Sequence, residues 1–178
     1  MLRRALDALY RASAGLAALS LLGIFLVMMG QVALRELGRQ LPAADDISAY
    51  LCVATTFFAL AHTFRRGELI RVGLLLERLS PGPRRIAELV ALALAALLVG
   101  AIAWHTGLDA MFSWEIEEVA QGTVPIPLWI PKLAMPLGAG ILLLAILEEF
   151  VDVLRGRIPS YVAAAAERAA AGDFSAEV

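Results

Sequence analysis

The 178-residue chain is 60% hydrophobic and 18% charged, with a formal net charge of -2 and a mean hydropathy of +0.76. A water-soluble domain of this size needs far less apolar material for its core, so the composition excludes an ordinary soluble domain. The apolar segments leave room only for short connectors and a tail. Any sizeable soluble catalytic or ligand-binding domain must therefore belong to a partner.

Four uncharged or nearly uncharged apolar stretches divide the chain, each about as long as a helix that crosses roughly 30 Å of hydrocarbon. They predict an all-α integral membrane protein with four transmembrane helices. The predicted spans cover about residues 12–34, 47–64, 87–108 and 128–148. We expect one four-helix membrane domain over residues 1–157 and a cytoplasmic C-terminal tail over residues 158–178. The first span is long for a signal peptide and lacks a clear cleavage site, so we expect it to remain as an anchor.

Basic residues are distributed unevenly between the two sides of the predicted membrane domain. Of the 15 Lys and Arg residues, twelve precede the first span, join the second span to the third, or lie in the tail, and three lie on the opposite side. The positive-inside rule therefore predicts that both termini are cytoplasmic. Four spans return the chain to its starting side, which agrees with this orientation.

The first connector on the predicted outer side leads into the second span through two carboxylates. Asp45 and Asp46, together with Ser48, fit a helix start, because a carboxylate there offsets the positive end of the helix dipole. Cys52 follows a few residues later and is the only cysteine, which excludes an intramolecular disulfide and a CxxC pair. We expect it to be a small apolar packing residue.

The connector between the second and third spans has the pattern of a short helix. Its apolar residues recur at helical spacing, and a Pro-Gly-Pro sequence at 81–83 stops the pattern. The apolar positions are Leu69, Val72, Leu76 and Leu79. We expect a short interfacial helix, with Arg66, Arg71 and Arg78 as candidate contacts for lipid headgroups. A packed elbow that only fixes the angle between two spans is the alternative.

The connector between the third and fourth spans is acidic and aromatic. Acidic residues alternate with large apolar ones after Asp109, so we expect the third helix to project beyond the membrane and to end at Gln121-Gly122. Trp129 and Lys132 fit an aromatic-belt residue beside a snorkelling cation. Such a ridge either anchors the helix ends in the interface or docks a periplasmic protein.

Six residues on the predicted outer side are candidate contacts with a partner protein, and anchoring of the helix ends is the competing interpretation. They are Arg35, Asp45, Asp46, Trp114, Glu115 and Trp129.

Ionisable groups at membrane depth usually mark an ion path or a cofactor, and they are almost absent here. The first span has none, unlike the small multidrug exporters, which rely on a buried acid in their first helix. His62 and His105 differ in predicted depth by roughly 15 Å, too far for one haem iron. No catalytic motif is present, so we expect no enzymatic activity, no cofactor and no metal site.

Several short motifs follow one another in a fixed order as far as Gly138. Arg35 closes the first span, Asp-Ile-Ser-Ala-Tyr-Leu at 46–51 starts the second, and Arg-Gly-Glu-Leu-Ile-Arg-Val at 66–72 follows it. Ile-Pro-Leu-Trp at 126–129 and Met-Pro-Leu-Gly at 135–138 lie around the start of the fourth. Their order and spacing resemble the small membrane subunit, of the DctQ type, of tripartite ATP-independent periplasmic (TRAP) transporters.

Four positions depart from the family's motifs. Leu69 stands where a histidine is common, and Gly73 where an aspartate often follows the valine. Asp46 replaces a glutamate and keeps its charge, while Ala59 replaces a glycine and still permits close helix approach.

The resemblance implies a non-catalytic small permease subunit of a sodium-coupled transporter for organic acids, such as a dicarboxylate or similar carboxylate, in the bacterial inner membrane. The implied partners are a large membrane subunit, whose scaffold this chain stabilises in a stable complex, and a periplasmic substrate-binding protein, which it helps to dock transiently. Membrane lipids are the third implied partner, and the resemblance implies no binding of nucleic acid. A membrane anchor subunit of a redox or other enzyme complex is the alternative, and a self-sufficient channel or exporter is a third possibility.

Overall fold

The computed structural model describes residues 2–66 and 81–156. The helices are α1 (Leu2–Glu36), α2 (Ala44–Arg66), α3 (Pro81–Glu115), α4 (Trp129–Lys132) and α5 (Ala134–Leu154). Four segments are long and apolar enough to cross a membrane: Arg4–Glu36, Ala44–Arg66, Gly82–Glu115 and Trp129–Leu154. The predicted all-α architecture with four spans is therefore confirmed. The expected interfacial helix, with Arg71 and Arg78, and the C-terminal tail lie outside the described residues.

Two of the helices are much longer than their apolar runs. α1 and α3 each contain 35 residues, which corresponds to about 52 Å of helix and exceeds the roughly 30 Å of a hydrocarbon core. α3 begins at the Pro-Gly-Pro sequence, because proline's fixed φ and missing N–H suit the first turn of a helix. Both helices therefore extend beyond the hydrocarbon core.

The end of α3 differs from the sequence expectation. We expected the helix to end at Gln121-Gly122, but it ends at Glu115, and Glu117 adopts the left-handed conformation with φ of 50°. The backbone N–H of Glu118 donates to the Ser113 carbonyl at 3.0 Å, and that of Glu117 to the Trp114 carbonyl at 3.2 Å. This is a Schellman motif, which satisfies the last carbonyl groups of the helix and turns the chain away.

A short antiparallel pairing follows that turn. Val119 and Pro127 form an isolated β-bridge, and the Ala120 N–H donates to the Ile126 carbonyl at 2.9 Å. The Leu128 N–H donates to the Glu118 carbonyl at 2.9 Å. The segment 119–127 is thus a compact hairpin-like loop between α3 and α4, instead of a helical extension.

The four spanning segments form a row in the order α1, α2, α5, α3. α1 packs on α2, α2 packs on α5, and α5 packs on α3, whereas α1 meets α5 only over a short length. In the most apolar part of each span, 28% of the residues are buried in the central α4–α5 segment, but only 6% are buried in the edge helix α3. The row therefore leaves most of its apolar surface open on both faces.

The tightest helix packing is between α2 and α5. A Cβ atom built on Gly138 would lie 2.6 Å from the backbone carbonyl of Phe57, so only glycine fits at this crossing. Further along the same two helices, Ala61 and Ala145 are fully buried. Small residues in these helices let the two backbones approach closely.

The fourth span contains two helical pieces. α4 and α5 are separated at Leu133, whose N–H donates to the Trp129 carbonyl at 3.1 Å. Pro136 has no N–H to donate to the Lys132 carbonyl, and its ring disfavours a regular turn there. Leu133 itself keeps helical dihedral angles, so the two pieces form one spanning segment from Trp129 to Leu154.

Candidate partner-binding surfaces

The row has two polar ends. The connector end is formed by residues 37–43 and 116–128 with the adjoining helix termini. The terminus end holds the start of α1, the end of α2, the start of α3 and the end of α5. All six candidate contact residues lie at the connector end.

A network of charged side chains links the end of α3 to α4 at the connector end. The Lys132 ammonium lies 2.8 Å from Glu118 Oε2 and 3.1 Å from Asp109 Oδ2, and the Ser113 hydroxyl donates to Glu118 Oε2 at 2.7 Å. The hydrogen bond from Lys132, followed by that from Ser113, holds the pKa of the Glu118 carboxyl below its usual value. Lys132 therefore does more than reach the interface, because it binds two carboxylates that fix the loop to the helices.

Trp114 and Trp129, both predicted contact residues, touch each other. Their ring centroids are 4.6 Å apart with an interplanar angle of 64°, an edge-to-face arrangement. Trp129 is half-buried, whereas Trp114 remains 60% exposed. Met111 and Phe112 are also exposed beside it, at 63% and 58%. The end of α3 therefore presents an exposed apolar surface beyond the apolar run that is predicted to cross the membrane.

The other candidate residues surround this surface with charge. Arg35, Asp45 and Glu115 are exposed, and no ion pair involves them in the described part of the chain. The Asp46 carboxylate lies close to Gly122, so a larger residue there would require the Asp46 side chain to move. Asp46 therefore supports the 119–127 loop, and Arg35, Asp45 and Glu115 are the residues of this set left open to a partner.

Ser48 does not cap α2. The helix begins at Ala44, with Asp45 and Asp46 in its first turn as the sequence predicts. The Ser48 side chain lies one turn further along, is 7% exposed, and has no hydrogen-bond partner among residues 2–66 and 81–156. The two carboxylates alone provide the charge that offsets the helix dipole.

A second cluster joins three helices at the terminus end, and the sequence interpretation missed it. Arg65 lies 2.6 Å from Asp7 Oδ1, and its guanidinium carbon lies 4.7 Å from the centre of the Tyr10 ring. The Tyr10 hydroxyl donates to Glu148 Oε2 at 3.3 Å, and the Ser13 hydroxyl donates to a backbone carbonyl of α2 at 2.6 Å. These contacts tie α1 to α2 and α5. The available signal was that Asp7, Arg65 and Glu148 flank apolar runs at the same membrane edge.

Two further expectations concern residues with potential reactivity. We expected Cys52 to be a small apolar packing residue, but its side chain is exposed on α2, so the expectation is wrong for packing within this chain. His105 is exposed on α3, and His62 is half-buried on α2. Within the described ranges, no group of three or more His, Cys, Asp or Glu side chains is arranged to hold a metal ion.

Of the three candidate lipid contacts, Arg66 lies within the described residues, and it is exposed at the end of α2.

Comparison with protein families identifies a relationship over most of the chain. A family model described as "Tripartite ATP-independent periplasmic transporters, DctQ component" matches residues 24–156, about three quarters of the chain. The matched region runs from the middle of α1 through the end of α5. A comparison with curated proteins finds no match.

Proposed function

Since this chain belongs to the DctQ component family of tripartite ATP-independent periplasmic transporters, we propose that it is the non-catalytic small permease subunit of a sodium-coupled transporter for organic acids. Membership makes it a transporter component. The sodium coupling and the carboxylate substrate are the further content of the proposal, and so are the location in a bacterial inner membrane and the cytoplasmic termini. The excess of basic residues at the terminus end supports that orientation.

The observation that carries a scaffolding role is the open row of helices. In residues 12–34, 47–64, 89–108 and 133–147 there is no Asp, Glu, Lys or Arg, so the charged clusters lie only at the two ends. A row with uncharged centres offers two broad apolar faces. One part of such faces suits lipid, and another part suits the helices of a large membrane subunit. By packing there, this chain would stabilise the stationary scaffold of that subunit.

The test is co-purification. The chain is expressed alone and together with a large TRAP membrane subunit, and an affinity tag on one protein is used to recover both in mild detergent. We expect stoichiometric recovery of the two subunits. If both proteins are folded and monodisperse yet do not co-purify, the proposed role is wrong.

The connector end is the proposed docking surface for the periplasmic binding protein. Trp114 and its exposed apolar neighbours would form the centre of the contact, with Arg35, Asp45 and Glu115 as charged groups at its rim. A central apolar cluster with a polar rim is the usual anatomy of a protein interface. Trp129 supports the surface by packing on Trp114.

Charge reversal tests this docking role. The double variant Asp45→Lys, Asp46→Lys should lower uptake by the complete transporter while leaving membrane insertion unchanged. Because Asp46 also packs on Gly122, the single variant Asp45→Lys separates docking from loop packing. Uptake at the wild-type rate in both variants would remove these residues from the docking surface.

Lipid contact is the role proposed for Arg66, Arg71 and Arg78 at the opposite side. Their support is the sequence pattern and the exposed position of Arg66 at the end of α2. Replacing all three with Gln should reduce recovery of the complex from bilayers rich in anionic lipid, but not from neutral bilayers. Equal recovery from both would favour a simple elbow.

A further inference from the structure

We propose that the row of helices crosses the membrane with a tilt of about 40° within its own plane, so that hydrocarbon covers a slanted band of its surface. The band runs from the connector end of α1 to the terminus end of α3. The contacts between the helices set their uncharged runs out of register, and the tilt compensates for this offset. The surface assigned to lipid in this way does not depend on which partner the chain has.

A single level can be followed across the row from helix to helix. The Ser13 hydroxyl of α1 donates to the Phe58 carbonyl of α2 at 2.6 Å, and the backbone of the preceding residue meets Gly138 of α5. On the next helix, a Cβ atom built on Gly107 of α3 would lie 3.8 Å from the Cβ of Pro136, two residues before Gly138. A line perpendicular to the helices therefore joins Ser13 to the neighbourhood of Gly107.

This line meets the runs of the two edge helices at opposite limits. It crosses the uncharged run of α1, residues 12–34, at its terminus-end limit. It crosses the uncharged run of α3, residues 89–108, close to its connector-end limit. The centres of these two runs therefore lie roughly 25 Å apart along the helix direction. The runs of α2 and α5 have their centres between the two, so the shift proceeds in one direction along the row.

A bilayer accommodates this offset when the row leans in its own plane. Three interaxial distances of about 9 Å place α1 and α3 roughly 27 Å apart. An offset of roughly 25 Å over that width corresponds to a tilt of about 40°, at the upper end of the range that membrane helices adopt. At this tilt the run of α1, about 34 Å long, covers about 26 Å along the membrane normal, close to the thickness of a hydrocarbon core.

Exposed side chains at the four corners of the row follow the same diagonal. Met29 and Val32 at the connector end of α1 are 52% and 57% exposed, and Val90 at the terminus end of α3 is 62% exposed. The two remaining corners expose charge, with Arg11 on α1 and Asp109 on α3. A row with helices parallel to the membrane normal would leave the apolar corners in water or take the charged corners into hydrocarbon. The tilted row avoids both costs.

The tilt also separates the surface around Trp114 from the hydrocarbon. Met111 and Trp114 follow Asp109 on α3, beyond the uncharged run. In an upright row they would lie about level with Leu21, which is well inside the run of α1. In the tilted row this corner of α3 is raised away from the membrane centre, so the exposed apolar surface there is accessible from the water.

Depth measurements on spin labels test the tilt. Cys52 is the only cysteine, so single labels can be placed in a Cys52→Ser background of the full chain in phospholipid vesicles. Leu21→Cys on α1 and Met111→Cys on α3 form one pair at a common level of the row. Leu9→Cys and Ala101→Cys form a second pair, and all four positions are exposed. Collision rates with oxygen, which concentrates in hydrocarbon, and with a polar nickel complex, which does not, give the depth of each label.

The tilted row should give opposite results in the two pairs. The label at Leu21 should lie near the bilayer centre and that at Met111 near the interface, a difference in depth of roughly 17 Å. In the second pair the order reverses, with Ala101 near the centre and Leu9 near the interface. Equal depths within both pairs would overturn the tilt and leave the apolar corners for a partner chain to cover. A deeper label on the same helix in both pairs would overturn it as well.

Each labelled variant is first checked by gel filtration in mild detergent, so that a folding failure is not read as a change in depth. Phe25 and Phe112, both 58% exposed, replace the first pair if a label there prevents folding. They lie on the same two helices close to the original positions, so the same difference in depth is expected.

Discussion

Replacement of Gly138 by alanine should separate the two central helices of the row. A Cβ atom at this position would lie 2.6 Å from the carbonyl carbon and oxygen of Phe57 and 2.7 Å from its Cβ. Real Cβ atoms essentially never approach another heavy atom more closely than 3.0 Å, and ordinary contact begins at 3.4 Å. The neighbouring atoms belong to the helix backbone, which cannot rotate away as a flexible side chain can. α2 and α5 must therefore move apart by roughly 0.8 Å to restore an ordinary contact.

The expected cost follows from what that separation disrupts. Overfilling a well-packed core costs about 1 to 3 kcal/mol, which corresponds to a decrease of about 5- to 150-fold in the ratio of folded to unfolded protein. Fully buried Ala61 and Ala145 belong to the same core, so their contacts would loosen with the crossing. For a protein of this size the change should lower the melting temperature by roughly 2 to 12 °C.

The measurement is thermal unfolding in mild detergent, followed by the fraction of protein that remains monodisperse on gel filtration. Gly140→Ala is the matched control, because it lies two residues further along the same helix with no atom within 4 Å of its would-be Cβ. That variant should be as stable as the wild type or more stable by up to about 1 kcal/mol, since alanine favours helix over glycine. Equal melting temperatures for the Gly138 and Gly140 variants would refute the close crossing.

Three further outcomes test the polar clusters. Lys132→Met should weaken the dependence of stability on pH in acid. The lowered pKa of Glu118 gives the wild type a stabilisation that is present above the usual glutamate value of 4.5 and is lost as the pH falls through the lower folded pKa. Similar acid unfolding curves for both proteins would contradict the ion pair. Asp7→Ala and Arg65→Ala should each cost about 1 kcal/mol or less, and a double-mutant cycle should show that the two losses are not additive; strict additivity would mean that the pair contributes nothing. Ser13→Ala removes a hydrogen bond to the α2 backbone and should cost roughly 0.6 kcal/mol, up to about 1.7, in detergent unfolding, whereas an unchanged midpoint would show that the bond is replaced in the variant.

The two polar clusters explain how an open row keeps its order. At the connector end, Lys132 holds the end of α3 and the following loop against α4. At the terminus end, Arg65 and Tyr10 hold α1 against α2 and α5. Between these ends the helices are joined by small-residue crossings such as that at Gly138 and by larger apolar side chains such as Leu92 and Ile146. The central part of the row is therefore free of charge, and its exposed faces are left for lipid and a partner.

The sequence by itself determined the number of spans, their approximate positions and the family. These properties are readable because a helix that crosses hydrocarbon needs an uninterrupted apolar run of a certain length, whatever its neighbours are. The carboxylates at Asp45 and Asp46 likewise predicted the start of α2, since helix capping depends on nearby residues only. The short motifs around Gly138 resembled the family that the matched region confirms.

Only the tertiary structure decided the order of the helices and the contacts between them. Glu117 adopts the left-handed conformation that ends α3, and glutamate is an unfavourable residue for that conformation. No local preference therefore predicted that α3 ends at Glu115. The ion pair of Glu118 with Lys132 accompanies that turn. Cys52 looked like a packing residue because a small apolar side chain fits a buried site as well as an exposed helix face. Its position, like the place of α5 at the centre of the row, depends on contacts between residues distant in the chain, which a one-dimensional pattern does not specify.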